Sequence, residues 1–377
     1  MYIERAIQNQ IIKKIKSTKK IAIIYGPRQI GKTTLSKKII NNLSLKTLTV
    51  NADEEKYIDI FSSRDFSKIN GLIDGYELLF IDEAQQIPDI GINLKIIKDR
   101  LPNLKIIVTG SSSFELANKI TEPLTGRTWT YNLYPLSILE IKNKLNTFEI
   151  NEKIEELLIF GAYPEVFTTK NWQDKQKLLE EISRAYLYKD ILKISRLKHA
   201  NKMKKLLQLL AFQIGSEVSI VEISRQLEIN KETVSNYIDL LEKSFVIFRL
   251  GGFNRNLRKE VSKKDKIYFY DLGIRNIIIN NLNTLDTRND VGQLWENFLL
   301  IERKKYLDYT NKLASQYFWR TTTGAELDYV EEREGKLYGY EFKAGHKFAK
   351  LPKSWSEHYE GAESKTINRE NYLEFIS

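Results

Sequence analysis

The chain has 377 residues, 42% of them hydrophobic and 29% charged, and 59 Lys and Arg against 49 Asp and Glu give a net charge of +10. That balance excludes a disordered chain and predicts two to four folded domains. No apolar run approaches the ~18 residues of a membrane span. Met1-Tyr2-Ile3-Glu4-Arg5 carries no signal-peptide pattern, so the cytoplasm is the expected location. The absence of cysteine excludes disulfides, thiolate zinc sites and thiol catalysis, and three histidines argue against a histidine-rich metal site. The basic excess suits a polyanion such as nucleic acid. It is equally what an AT-rich genome produces, since Lys, Ile and Asn are abundant together.

In chain order, residues 1 to about 135 alternate strand-like and helical patterns. The apolar runs are Ile21–Tyr25, Leu48–Asn51, Glu77–Asp82 and Leu104–Thr109. Strands alternating with helices predict an α/β domain with a parallel sheet. Residues 136–200 read as helical, interrupted at Gly161 and Pro164. A helix over Met203–Ile214 follows. Ser219 caps a short helix over Ile220–Leu227, and Asn230 caps a third helix running to about Ser244. Two strand-like runs, Phe245–Leu250 and Lys266–Tyr270, flank a basic connection. Three helices and a two-stranded ribbon form the pattern of a winged helix-turn-helix. The last hundred residues predict a helix over Val291–Tyr306 and strands at Gln316–Arg320, Ala325–Val330 and Leu337–Phe342, a separate α/β domain.

Gly26-Pro27-Arg28-Gln29-Ile30-Gly31-Lys32-Thr33 follows the first strand and opens a helix. Glycines at both ends let backbone amides turn inward, so that Gly26, Gln29, Ile30, Gly31, Lys32, Thr33 and Thr34 would hold the phosphates of ATP. Lys32 would reach the β and γ phosphates, and the Thr33 hydroxyl would ligate Mg²⁺. The third strand ends in Asp82-Glu83. Asp82 would hold the Mg²⁺ through water, and Glu83 would polarise the attacking water. An ordinary acidic pair at a strand end is the competing reading. At the end of the fourth strand, Ser111, with Thr109 as second choice, would touch the γ-phosphate or the water. Arg127 is either an arginine finger or a surface arginine.

These segments, with Phe80-Ile81-Asp82-Glu83-Ala84-Gln85, Thr109-Gly110-Ser111-Ser112, Gly126-Arg127, Tyr134-Pro135-Leu136-Ser137 and Gly161-Ala162-Tyr163-Pro164-Glu165, resemble an AAA-type ATPase family over nearly the whole chain. Members of that family carry a C-terminal domain of unknown function. The resemblance implies an AAA+ ATPase core at 1–140, a helical lid at 141–200, a winged helix-turn-helix at 201–275 and a restriction-endonuclease-like domain at 276–377.

The C-terminal residues carry their own signal. Glu296 in a helix, Asp328 in a strand and Glu341-x-Lys343 in the next strand resemble the PD-(D/E)xK nuclease motif. Three carboxylates can hold Mg²⁺ against a scissile phosphate, and Lys343 can orient the water. Glu341 and Lys343 share one strand face. A salt pair on that face, in a domain without activity, is the other reading. In the middle domain, Val234, Tyr237, Ile238 and Leu241 form the apolar face of the third helix, leaving Lys231, Ser235 and Asn236 outward. Arg255, Arg258, Lys259, Lys263 and Lys264 after it, and Lys189, Lys193, Arg196, Lys198, Lys202 and Lys204 before it, suit phosphates. A packing or lid role would leave them as solvated surface. The expected function is ATP hydrolysis acting on DNA, in a possible homo-oligomer and without a membrane. The alternative is an ATP-switched protein-interaction module with an inactive nuclease-like domain.

Overall fold

The computed structural model describes residues 2–110, 124–185, 200–253 and 264–377. The chain divides into two compact units: Tyr2–Tyr134 with Lys243–Phe245, and Pro135–Glu242 with Val246–Ser377. Among the described residues no helix is long and apolar enough to cross a membrane.

The N-terminal unit is built on strands β1 (Ile21–Tyr25), β2 (Thr47–Asn51), β3 (Leu78–Asp82), β4 (Lys105–Gly110) and β5 (Thr128–Asn132). Their order is β2-β3-β4-β1-β5, and every pair is parallel. Helices α1 (Gln8–Ser17), α2 (Lys32–Leu43), α3 (Glu55–Ser62), α4 (Phe66–Ile73) and α5 (Ile90–Arg100) connect or precede the strands. A parallel sheet covered on both faces demands strands apolar on both faces. Accordingly all five residues of β1 are buried, as are Leu78–Ile81 of β3 and Ile106–Gly110 of β4. The four predicted strands are present. β5 has no counterpart in the sequence reading, because Thr128-Trp129-Thr130-Tyr131-Asn132 is a partly exposed edge strand without an apolar run.

The second unit begins with helices α6 (Ile138–Ile141), α7 (Thr147–Phe160), α8 (Pro164–Thr168) and α9 (Trp172–Arg184). Ser137 with Glu140, and Asn146 with Glu149, form capping boxes that fix where α6 and α7 start. Pro164 opens α8 at its first turn, where its missing N–H costs nothing. Helices α10 (Ala200–Phe212), α11 (Ile220–Leu227) and α12 (Lys231–Lys243) follow. The Ser219 side chain accepts from the Glu222 amide, and that of Asn230 from the Thr233 amide, the two predicted caps.

Strands β6 (Ile247–Gly252) and β7 (Lys266–Phe269) form an antiparallel pair. They continue into the last hundred residues rather than standing alone. Gly251 and Gly252 of β6 pair in parallel with Tyr317 and Phe318 of β8 (Ser315–Arg320). With β9 (Glu326–Arg333), β10 (Lys336–Phe342) and β11 (Glu363–Ile367), the order is β11-β10-β9-β8-β6-β7. Phe253, Trp319, Leu327, Val330, Leu337 and Trp355 form one core cluster of this unit.

Helix α13 (Leu272–Ile278) leads to the long α14 (Val291–Tyr309), which is buried along most of its length. The buried charges of α14 are partnered: Arg303 with Glu331 at 2.5 Å, and Glu302 with Lys305 at 2.7 Å. Asn297 of the same helix acts as a surrogate strand. Its amide accepts from the Phe269 N–H at 2.7 Å and donates to the Phe269 carbonyl at 2.8 Å, completing the backbone of edge strand β7. Asn297→Ala would leave two buried backbone groups unpaired, each costing about 1–3 kcal/mol. Denaturant unfolding followed through the tryptophans of the C-terminal unit is expected to show a loss of roughly 2–6 kcal/mol, and a change indistinguishable from zero would refute this role.

Candidate nucleotide site and carboxylate centre

In an open parallel sheet, ligands sit outside the carboxyl ends of the strands where the strand order reverses. Here β1 lies between β4 and β5, so the loop after Tyr25 emerges beside the end of β4, with the end of β3 one strand further. Gly26 must be glycine for a steric reason. A Cβ there would lie 2.4 Å from the Leu133 carbonyl oxygen, on the chain leaving β5. Gly31 has φ of +92° and ends the loop as the N-cap of α2, with no side chain capping that helix end. The first-turn amides of α2 therefore face the loop and favour an anion. Lys32 is buried, and its ammonium donates to the Gly26 and Pro27 carbonyls at 2.9 Å each. Gln29, φ +58°, completes the turn.

Asp82, the last residue of β3, ties this corner together. One carboxylate oxygen accepts from the Thr33 hydroxyl at 2.7 Å and the other from the Thr109 hydroxyl. Thr109 is fully buried at the end of β4, and its oxygen also receives the Glu83 amide at 3.3 Å. Glu83 adopts φ of +53°, and its carboxylate accepts from the Gln85 amide at 2.5 Å. A hydroxyl and a carboxylate held together beside a phosphate-type loop form an oxygen donor set suited to a hard cation. The residues present thus fit both an anionic nucleotide and its magnesium ion.

The other predicted residues of this site fare differently. Thr109 holds Asp82 in place, a role the sequence reading did not give it. Its position was legible, because a polar residue closing an apolar strand points to a site. Ser111 lies outside the described residues. Arg127 is not brought to the loop. Its carbonyl accepts from the Ile21 amide at the start of β1, and its guanidinium pairs with Asp99 at 3.0 Å. Five strand residues rising ~3.3 Å each separate it from the loop by about 16 Å, so it does not serve its own chain's site.

In the second unit, strand register brings the carboxylates together. Tyr340 pairs with Tyr329, so Asp328 on β9 and Glu341 on β10 lie one step further along the same ladder. The Phe342 amide donates to Asp328 at 2.7 Å, and Lys343 pairs with Glu341 at 2.9 Å. Burial, then the carboxylates of Glu296 and Glu341, push Asp328 up to about 8. Glu296 is raised by burial, with Lys266 and the Tyr268 hydroxyl opposing that rise. The four predicted residues therefore share one electrostatic neighbourhood.

They do not form a metal cage. Among the described residues no group of three or more His, Cys, Asp or Glu is arranged to hold a metal ion. Glu296 is instead engaged by Tyr268 at 2.5 Å and by the Lys266 ammonium at 3.6 Å, while Lys266 pairs with Glu326 at 2.6 Å. The sequence reading missed Lys266, Tyr268 and Glu326. Period-two spacing could have flagged Glu326, two residues before Asp328 on one strand face. No local signal singles out Lys266 from Lys263 and Lys264 just before it.

The basic residues expected to touch phosphates divide in two. Lys231 and Asn236 are exposed, Ser235 is half-buried and Lys264 is exposed. Arg255, Arg258, Lys259, Lys263, Lys189, Lys193, Arg196 and Lys198 lie outside the described residues.

Three segments of the chain match known protein families. Residues 18–142 match an AAA domain family, residues 151–285 a domain of unknown function (DUF8612), and residues 291–370 a second one (DUF4143). An uncharacterized protein of Mycobacterium tuberculosis is 29% identical over 350 residues, covering 91% of this chain and 74% of that protein. An uncharacterized protein of Methanocaldococcus jannaschii is 27% identical over 316 residues, covering 76% of this chain and 70% of that protein. Among solved structures, the Walker-type ATPase of Pyrococcus abyssi superposes with a TM-score of 0.52 at 16% identity, over 74% of this chain and 96% of that one. Within residues 18–142, which match the AAA domain family, the phosphate-loop motif and the parallel strand order agree with that match.

Proposed function

We propose that this protein is an ATP-hydrolysing AAA+ protein that acts on DNA in the cytoplasm. In this reading 201–275 is a winged helix-turn-helix whose β6–β7 ribbon is shared with the sheet of a nuclease-like fold at 276–377. The observation that carries the ATPase part is the Asp82 carboxylate shared between Thr33 and Thr109. It supports a bracket in which Thr33 and Asp82 would hold Mg²⁺ while Lys32 leaves its two carbonyl partners for phosphate oxygens. The backbone amides of Gln29, Ile30, Gly31, Lys32, Thr33 and Thr34 would take the remaining phosphate oxygens. When bound, Mg²⁺ would neutralise phosphate charge as it develops. Glu83 would accept the proton of the attacking water once released from Gln85.

The DNA part reads α11 and α12 as a helix-turn-helix, and is supported by the burial of Val234, Tyr237, Ile238 and Leu241 and the exposure of Lys231 and Asn236. The net charge of +10 supports the same reading. In a homo-oligomer, Arg127 could act only on a neighbouring copy's site. The alternative reading, an ATP-switched interaction module with an inactive nuclease-like domain, is favoured by one observation: the Lys266 ammonium seated among the C-terminal carboxylates.

Three measurements check this proposal. Lys32→Ala is expected to lose nucleotide binding while its circular dichroism still reports a folded chain, and full turnover in that folded variant would remove the phosphate-loop assignment. Glu83→Gln is expected to retain ATP affinity and lose turnover by about 10²-fold or more. Equal losses of binding and turnover would make Glu83 structural. Neutralising Arg255, Arg258, Lys259, Lys263 and Lys264 together should weaken duplex binding and flatten its dependence on salt, because fewer counterions are released. Unchanged affinity and salt slope would favour the interaction module.

A further inference from the structure

We propose that Lys266 is the built-in cation of the C-terminal carboxylate centre, occupying the electrostatic role that a divalent metal ion plays in a nuclease-type site. The inference concerns this centre alone and stands whether or not the nucleotide site hydrolyses ATP.

Four carboxylates meet here, and a cluster of that kind repels itself unless cations offset it. Three cations do so from within the chain. Lys266 lies 2.6 Å from Glu326 and 3.6 Å from Glu296, Lys343 lies 2.9 Å from Glu341, and Arg320 lies 3.8 Å from Glu326. Asp328 receives the Phe342 amide. Of the three cations only Lys266 is enclosed: its side chain is 5% exposed, with the ammonium 5.2 Å from the centre of the buried Phe318 ring. Tyr268, two residues on and so on the same face of β7, donates to the same Glu296 oxygen that faces Lys266.

Two physical consequences follow. A tethered ammonium loses no translational freedom on reaching the carboxylates, whereas a metal ion from solution does. A metal entering the centre must also leave Lys266 buried without its counter-charges, which is costly in a dry interior. A single ammonium can neutralise and hydrogen-bond, but it cannot polarise a phosphate or generate hydroxide as a divalent ion does. In this state the centre therefore works as a joint between β7, α14 and β9, and metal binding requires Lys266 to withdraw.

The test uses the full chain without nucleotide and Mn²⁺ as the probe, with bound ion read by electron paramagnetic resonance. Comparison with Asp328→Asn isolates this centre from any weak binding at Thr33 and Asp82. Wild type is expected to show no Mn²⁺ binding that Asp328→Asn removes. Lys266→Met, which keeps the stem and deletes the charge, is expected to gain an Mn²⁺ site that is lost again in the double variant with Asp328→Asn. Mn²⁺ is expected to raise the melting midpoint of Lys266→Met and leave that of wild type unchanged. Binding in wild type that depends on Asp328 would overturn the proposal, as would a folded Lys266→Met that gains no site. If Lys266→Met does not fold, the wild-type and Asp328→Asn arms decide alone.

Discussion

The carboxylate of Asp82 is the interaction on which the nucleotide corner depends. Its two oxygens receive hydroxyl protons from Thr33 and Thr109, and so join the first turn of α2 to the ends of β3 and β4. Parallel strands carry no hydrogen bonds beyond their ends, so loops leaving a sheet need side chains to fix their relative positions. One residue does that here for three elements. Because Thr109 also receives the Glu83 amide, the orientation of Glu83 follows from the same bracket.

A different constraint governs the C-terminal unit: charge taken out of water must be matched within the fold. Arg303 forms a two-pronged pair with Glu331, Lys305 and the Ile138 amide both serve Glu302, and Arg275 and Arg288 converge on Asp290. Such pairs contribute little net stability against apolar substitutes, but losing one partner is costly. The Arg303–Glu331 pair also ties α14 to β9. The carboxylate centre obeys the same rule, with Lys266 as the matching charge.

Edge strands mark the limit of pattern reading in both sheets. β5 and β11 carry no apolar run: every residue of β5 and the first three of β11 are partly or fully exposed, and both strands are rich in polar residues. Their existence is decided by hydrogen bonds to β1 and β10, and no short window of sequence contains those partners. Edge position alone does not hide a strand, since β2 and β7 retain enough apolar residues to be read. The helices of the second unit were more legible, since the Ser219 and Asn230 caps are local chemistry.

What the sequence determined by itself was whatever depends on neighbours within about ten residues. It determined the loop from Gly26 to Thr33, the Asp82-Glu83 strand end, the four apolar strands and the helix caps. Backbone preference, period and motif chemistry act over that range. Tertiary structure alone decided the long-range partners. It put Thr109 against Asp82 across 27 residues, held Arg127 at the far end of β1, merged the β6–β7 ribbon into the C-terminal sheet and set Lys266 beside Glu326 and Glu296. The physical reason is that an ion pair or a strand register is fixed by folding of the whole chain. A lysine's identity says that it will find a counter-charge when buried, and only the fold says which one.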